Sequence, residues 1–199
     1  MQYAYCILHI AYNSFMQSSG ILTRLSHSQW SLKPQDLAVA FKLACHSGQR
    51  IPYAALAKAM HLSVFEAHSC VTRLTSARLL TEIDKQAKII LPALRLLVFH
   101  GAPYFFPAVR GEITVGMPTA HGAAPLKQHL LPNDDLPPVW PSAEGTVRGS
   151  SLLPLYPKLP LAAQEDPKLY ELLALFDALR IGQARERELV KDMFEARLK

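Results

Sequence analysis

The sequence predicts an α+β chain in three stretches: helices that end on a short β-hairpin, a proline-rich irregular cap with little strand, and a C-terminal helical element. Three observations carry this. Apolar residues recur at spacings of three and four between residues 34 and 74, and again between 169 and 194, which is the period of a helix. Leu79-Leu80-Thr81-Glu82-Ile83 and Lys88-Ile89-Ile90-Leu91 alternate around a polar corner, Asp84-Lys85-Gln86-Ala87, as two strands of a hairpin do. Of the 15 prolines, only Pro34, Pro52 and Pro92 precede residue 101, and the rest lie between Pro103 and Pro167. Proline lacks an amide donor and fixes φ, so that middle stretch is expected to hold turns, arms and short strands but no long helix or central strand.

Taken in order, residues 1–33 form an N-terminal segment whose apolar run around Ile7, Leu8 and Phe15 is interrupted by His9 and Asn13. With no Lys or Arg before it, this run is expected to be neither a signal peptide nor a membrane span. Pro34 to Ser47 reads as a helix with Leu37, Ala40, Phe41, Ala44 and Cys45 on one face, stopped by Ser47-Gly48. Pro52 to Met60 reads as a short second helix, and His61-Leu62-Ser63 as a turn. Ser63 caps a third helix, and Glu66 three residues on completes a capping box. Ala67, Cys70, Val71 and Leu74 form the buried stripe of that helix, leaving Glu66, His68, Ser69, Thr72 and Arg73 toward solvent. Pro92 to His100 continues as a helix. Asp166-Pro167 opens the C-terminal helix with an N-cap acid and a first-turn proline, and Gly182 breaks it.

Two short helices joined by a tight turn, the second polar on its free face, make a helix-turn-helix, and the hairpin beside it is a wing. Over residues 34–91 this resembles the winged helix-turn-helix of bacterial transcription regulators such as the MarR-like families. The resemblance rests on Ala55-Leu56-Ala57, Leu62-Ser63, Arg73-Leu74 and Leu79-Leu80. The chain departs from the pattern at Arg78, where such families place glycine after the third helix. The resemblance implies that the third helix enters the major groove of double-stranded DNA. Phe65, Glu66, His68, Ser69, Thr72 and Arg73 would then face base edges and phosphates, Arg73 and Thr72 foremost, with Lys85 and Lys88 of the wing on the backbone. Charge agrees with that partner. Residues 1–100 hold ten Lys/Arg against four Asp/Glu, whereas residues 101–199 hold eleven against twelve, so the excess over the whole chain, +5, resides in the first half.

The middle, residues 92–166, offers a ligand site as an expectation: Tyr104, Phe105, Phe106 and Trp140 as walls, with Arg110 and Arg148 to hold an anion. The overall order also resembles the AbiE-type group of winged-helix regulators or antitoxins, which are paired with a nucleotidyltransferase toxin. Tyr-Phe-Phe-Pro-Ala-Val-Arg-Gly (104–111), Gly-Met-Pro-Thr (116–119) and Asp-Ala-Leu-Arg (177–180) carry it. Catalytic motifs are missing: His100, His121 and His129 have no cysteine or carboxylate at metal-ligand spacing, Asp134-Asp135 reads as a polar turn, and there is no phosphate-cradling glycine loop. Three widely spaced cysteines make no disulfide framework and suit a reducing cytosol. The expected function is therefore sequence-specific DNA binding by a cytoplasmic regulator, a repressor, with no enzymatic activity, no cofactor, no metal and no membrane. The alternative is an antitoxin or adaptor holding a protein partner through the C-terminal half. A homodimer is expected, with its seam either along Leu169, Leu172, Leu173, Phe176 and Leu179 of residues 167–199 or in the N-terminal segment.

Overall fold

The computed structural model describes residues 31–46, 51–83, 86–124, 126–129, 136–182 and 184–198. The expectations for Ile7, Leu8, Phe15, Lys85 and Asp134-Asp135 lie outside them. Residues 32–199 cluster as one unit of mixed α+β structure.

Helix α1 (Pro34–Cys45) starts on a proline whose missing N–H costs nothing at that position, and the Lys33 N–H donates to Asp36 Oδ2 at 2.8 Å. The sequence predicts one apolar face, but every residue from Asp36 to Ala44 is buried. A helix that is apolar all round belongs inside a fold, and α1 runs through the core. Its two buried charges are paired. Asp36 takes the guanidinium of Arg73, and the Lys42 ammonium meets Asp166 at 2.7 Å.

Helices α2 (Tyr53–Ala59) and α3 (Val64–Ser76) are joined by a sharp turn, and both end in the same way. His61 and Arg78 take the left-handed φ values 50° and 57°. After α2, Leu62 N–H reaches Ala57 O and His61 N–H reaches Lys58 O; after α3, Leu79 N–H reaches Leu74 O and Arg78 N–H reaches Thr75 O. These are paired 6→1 and 5→2 bonds that satisfy carbonyls left over at a helix end, and the buried Leu74 and Leu79 supply the accompanying apolar contact. Glycine is the usual residue there because a Cβ is strained at positive φ. The departure at Arg78 thus does not change the geometry of the exit; it makes the same exit with a strained residue.

Strands β1 (Leu80–Ile83) and β2 (Gln86–Ile89) pair antiparallel, with Leu80 opposite Ile89 and Thr81 opposite Lys88. Leu80 and Ile89 are buried and Lys88 is exposed, the alternation a half-buried hairpin requires. Helices α4 (Leu91–His100) and α5 (Ala102–Phe105) follow.

The middle is more ordered than its prolines suggest. Strands β3 (Arg110–Pro118), β4 (Pro138–Pro141) and β5 (Val147–Leu152) each pair with both of the others, closing a small sheet on itself. β3 runs for nine residues, so the expectation of little strand is corrected. The prolines sit at strand ends (Pro118, Pro138, Pro141), and β5 carries none. Gly149 permits the closure: a Cβ there would lie 2.0 Å from the Pro137 carbonyl oxygen.

Helices α6 (Leu159–Glu165), α7 (Pro167–Ile181) and α8 (Ala184–Arg197) complete the chain. Asp166 Oδ1 accepts from the N–H groups of Lys168 and Leu169, as an N-cap does, and α7 ends at Gly182, where a Cβ would meet Ala178 O at 2.5 Å. Leu169, Leu172, Leu173, Phe176 and Leu179 are all buried within the chain itself. The expected dimer seam along this stripe is therefore corrected, because its apolar surface is already covered. Phe41 of α1 packs edge-on against Phe176 of α7 and Phe194 of α8, with ring centroids 5.7 and 5.4 Å apart. Contacts of that geometry are worth about 0.5–1.5 kcal/mol each beyond burial. One core thus runs through segments 34–91, 92–166 and 167–199. Among the described residues, no helix is long and apolar enough to cross a membrane.

Candidate nucleic-acid interface

Helix α3 is held at its start by Ser63 and Glu66. The Ser63 N–H and hydroxyl donate to Glu66 Oε2 at 2.8 and 2.7 Å, and the Glu66 N–H donates back to Ser63 Oγ at 3.2 Å. The backbone hydrogen bond from Ser63, followed by the hydroxyl bond, holds the Glu66 carboxyl below its usual range. Oε2 of this carboxylate is occupied with capping. Ala67, Cys70, Val71 and Leu74 are buried, as their spacing requires.

The opposite side of α3 is open. Phe65 is 79% exposed, His68, Thr75 and Ser76 are exposed, and Ser69 and Thr72 are half-buried. The hydroxyls are oriented by the helix itself: Thr72 donates to His68 O, Thr75 to Val71 O and Ser76 to Thr72 O, each at 2.9 Å. The His68 ring lies 5.1 Å from the Tyr53 ring of α2.

Arg73 is not on that open side. Its Nε and Nη2 donate to the two carboxylate oxygens of Asp36 at 2.7 and 2.6 Å, and its side chain is only 11% exposed. The expectation that Arg73 reads a base is corrected: its fork is matched to a fully buried carboxylate and ties α3 to α1. Periodicity placed Arg73 at the edge of the polar face, and only the position of Asp36, 37 residues earlier, decides which way it turns.

Lys88 is exposed on β2 as expected. Two further cations escaped the sequence reading, Lys58 in the last turn of α2 and Arg78 just after α3; both are exposed. Among the described residues, Lys58, Arg78 and Lys88 have no acidic partner. Lys58 and Arg78 flank the third helix in the sequence, outside the face that its periodicity marks. Beside the α2–α3 turn, Lys58, His61, Leu62, Ser63 and Glu66 with Lys158 and Glu165 line an open cleft of about 560 Å³. Across it His61 Nε2 lies 3.0 Å from Glu165 Oε1.

The aromatic walls expected of a ligand site in the middle segment divide between surface and core. Tyr104 is 77% exposed and Phe105 is also exposed, whereas Phe106 and Trp140 are buried. Arg110 stands opposite Leu152 and Arg148 opposite Val115, so the two arginines are four positions apart along β5, roughly 13 Å. Trp140 instead donates from Nε1 to Asp177 Oδ2 at 2.6 Å, where the Thr119 hydroxyl also donates at 2.7 Å. Arg180 pairs with the other oxygen of Asp177, lies 5.2 Å over the Phe176 ring and donates to Phe106 O. The Asp-Ala-Leu-Arg segment that suggested a regulator–toxin group thus anchors the closed sheet to α7.

Burial pushes the thiols of Cys45 and Cys70 up to about 12, so neither is a thiolate at neutral pH. Among the described residues, no cluster of three or more His, Cys, Asp or Glu is placed to hold a metal ion. No protein-family model, curated protein or solved structure was found to match the chain.

Proposed function

We propose that the chain binds double-stranded DNA through α3 as a winged-helix transcriptional regulator. The observation that carries this reading is the order and exposure of α1, α2, the tight turn, α3 and the β1–β2 hairpin, with one side of α3 left uncovered. A helix presented in this way has the dimensions of the major groove. Lys58, Arg78 and Lys88, unpaired on the elements around α3, supply phosphate contacts that fix its position.

Fluorescence anisotropy of a labelled duplex with the full chain tests the reading. Affinity is expected to fall steeply with salt, and Lys58→Ala and Lys88→Ala are each expected to reduce the slope of log K against log salt by about 0.9. No duplex binding at low ionic strength would remove the proposal.

A protein partner is the second reading, supported by the exposed side chains of Tyr104, Phe105, Ile113 and Val115. Copurification of a partner that Ile113→Glu abolishes, with the fold intact, would favour it.

A further inference from the structure

We infer that α3 reads the C5-methyl groups of pyrimidines in the major groove, with Phe65 as the principal specificity residue; this rests on the DNA-binding reading above. Strong base readers are guanidinium or ammonium groups on guanine and side-chain amides on adenine. Helix α3 contains no Lys, Asn or Gln, its one arginine is bound to Asp36, and its one glutamate is bound to Ser63. What the open side presents is a phenyl ring standing 79% exposed at the first turn, the His68 imidazole beside the Tyr53 ring, the Thr72 side chain about two turns on, and the Thr72, Thr75 and Ser76 hydroxyls, whose protons are already donated to helix carbonyls. Such hydroxyls offer lone pairs outward, and a threonine whose hydroxyl is turned to its own backbone offers its methyl. An exposed aromatic ring and a threonine methyl are complementary to the one apolar feature of a base edge, the C5-methyl of thymine. The recognised class is therefore duplex DNA carrying methylated pyrimidines, which in unmodified DNA means thymine.

Four alternating duplexes of about 20 base pairs, two helical turns, separate the outcomes: d(AT), d(AU), d(GC) and d(GC) with 5-methylcytosine. Each pair differs by the methyl group alone. The full chain is expected to bind the methylated member of each pair more tightly, by about fourfold for each methyl buried. Phe65→Ala, at an exposed position where folding is unaffected, is expected to remove that preference, so that the two members of each pair bind alike. Equal binding within each pair overturns the inference but leaves DNA binding standing. A preference that survives Phe65→Ala also overturns it. Unchanged binding of every duplex by Phe65→Ala assigns the ring to some other surface, and absence of binding to all four overturns the DNA reading as well.

Discussion

Helix α3 and the closed β3–β4–β5 sheet are built by opposite means. The helix is specified within its own sequence: its cap is three residues from its partner, its buried stripe recurs every three or four residues, and its exit is closed by bonds spanning five residues or fewer. The sheet is specified from far away. β3 and β4 are separated by a long proline-bearing connection, and the attachment of the sheet runs mainly through Asp177, 58 residues from Thr119 and 37 from Trp140, beside the Tyr170 hydroxyl on Pro118 O. Locally encoded structure tolerates the loss of one contact, because its neighbours in sequence still hold. Structure encoded by a single buried carboxylate does not.

The largest effect is therefore expected at Asp177. Asp177→Ala leaves the Arg180 guanidinium buried beside two further donors, and uncompensated buried charge of this kind costs about 3–5 kcal/mol. Urea denaturation should show that loss. A near-wild-type midpoint would mean that the sheet is held by its own pairing and would erase the contrast.

Next comes the Arg73–Asp36 pair, a charged long-range tie between α3 and α1. Either Arg73→Ala or Asp36→Ala is expected to cost about 3 kcal/mol, and the double variant less than the two losses added, since each single change strands a buried partner. Strict additivity in the cycle would show that the two groups act separately.

Asp166 combines both modes, capping α7 locally and pairing with Lys42 across the core, so Asp166→Ala is expected to cost about 2 kcal/mol. Desolvation pushes its carboxyl up, but the Lys42 ammonium and the Leu169 N–H outweigh it, and the net displacement is downward. A carboxylate depressed in the folded state contributes stability above its unfolded pKa, about 3.9, and loses it as pH falls through the folded value. The gap in urea midpoint between wild type and Asp166→Asn should accordingly be full at pH 7 and shrink on acidification. A gap that widens in acid would contradict the ion pair.

The smallest effects belong to the local devices themselves. Ser63→Ala removes the cap of α3 and is expected to cost about 1 kcal/mol. Arg78→Gly relieves the left-handed strain at the helix exit and is expected to stabilise the fold by about 1 kcal/mol while weakening DNA binding through the lost charge. Opposite signs for stability and affinity in that one variant would separate the backbone role of residue 78 from its charge.

The sequence by itself determined whatever depends on neighbours along the chain. The four helices from 34 to 100, the Ser63–Glu66 box, the hairpin, the Asp166 cap and the Gly182 break were all legible, because capping, periodicity and backbone freedom act over a few residues. The exposure of His68 followed from the same periodicity, and that of Phe65 and Lys88 from the resemblance to a winged helix-turn-helix. Only the tertiary structure decided what depends on distant partners. It turned Arg73 inward onto Asp36, buried α1 on every side and covered the apolar stripe of α7. It also closed three strands of the proline-rich middle into a sheet and set Arg110 and Arg148 on separate strands of it. Side-chain type and spacing do not carry that information, since the direction a guanidinium takes or the partner a strand finds is set by which surfaces meet when the core forms.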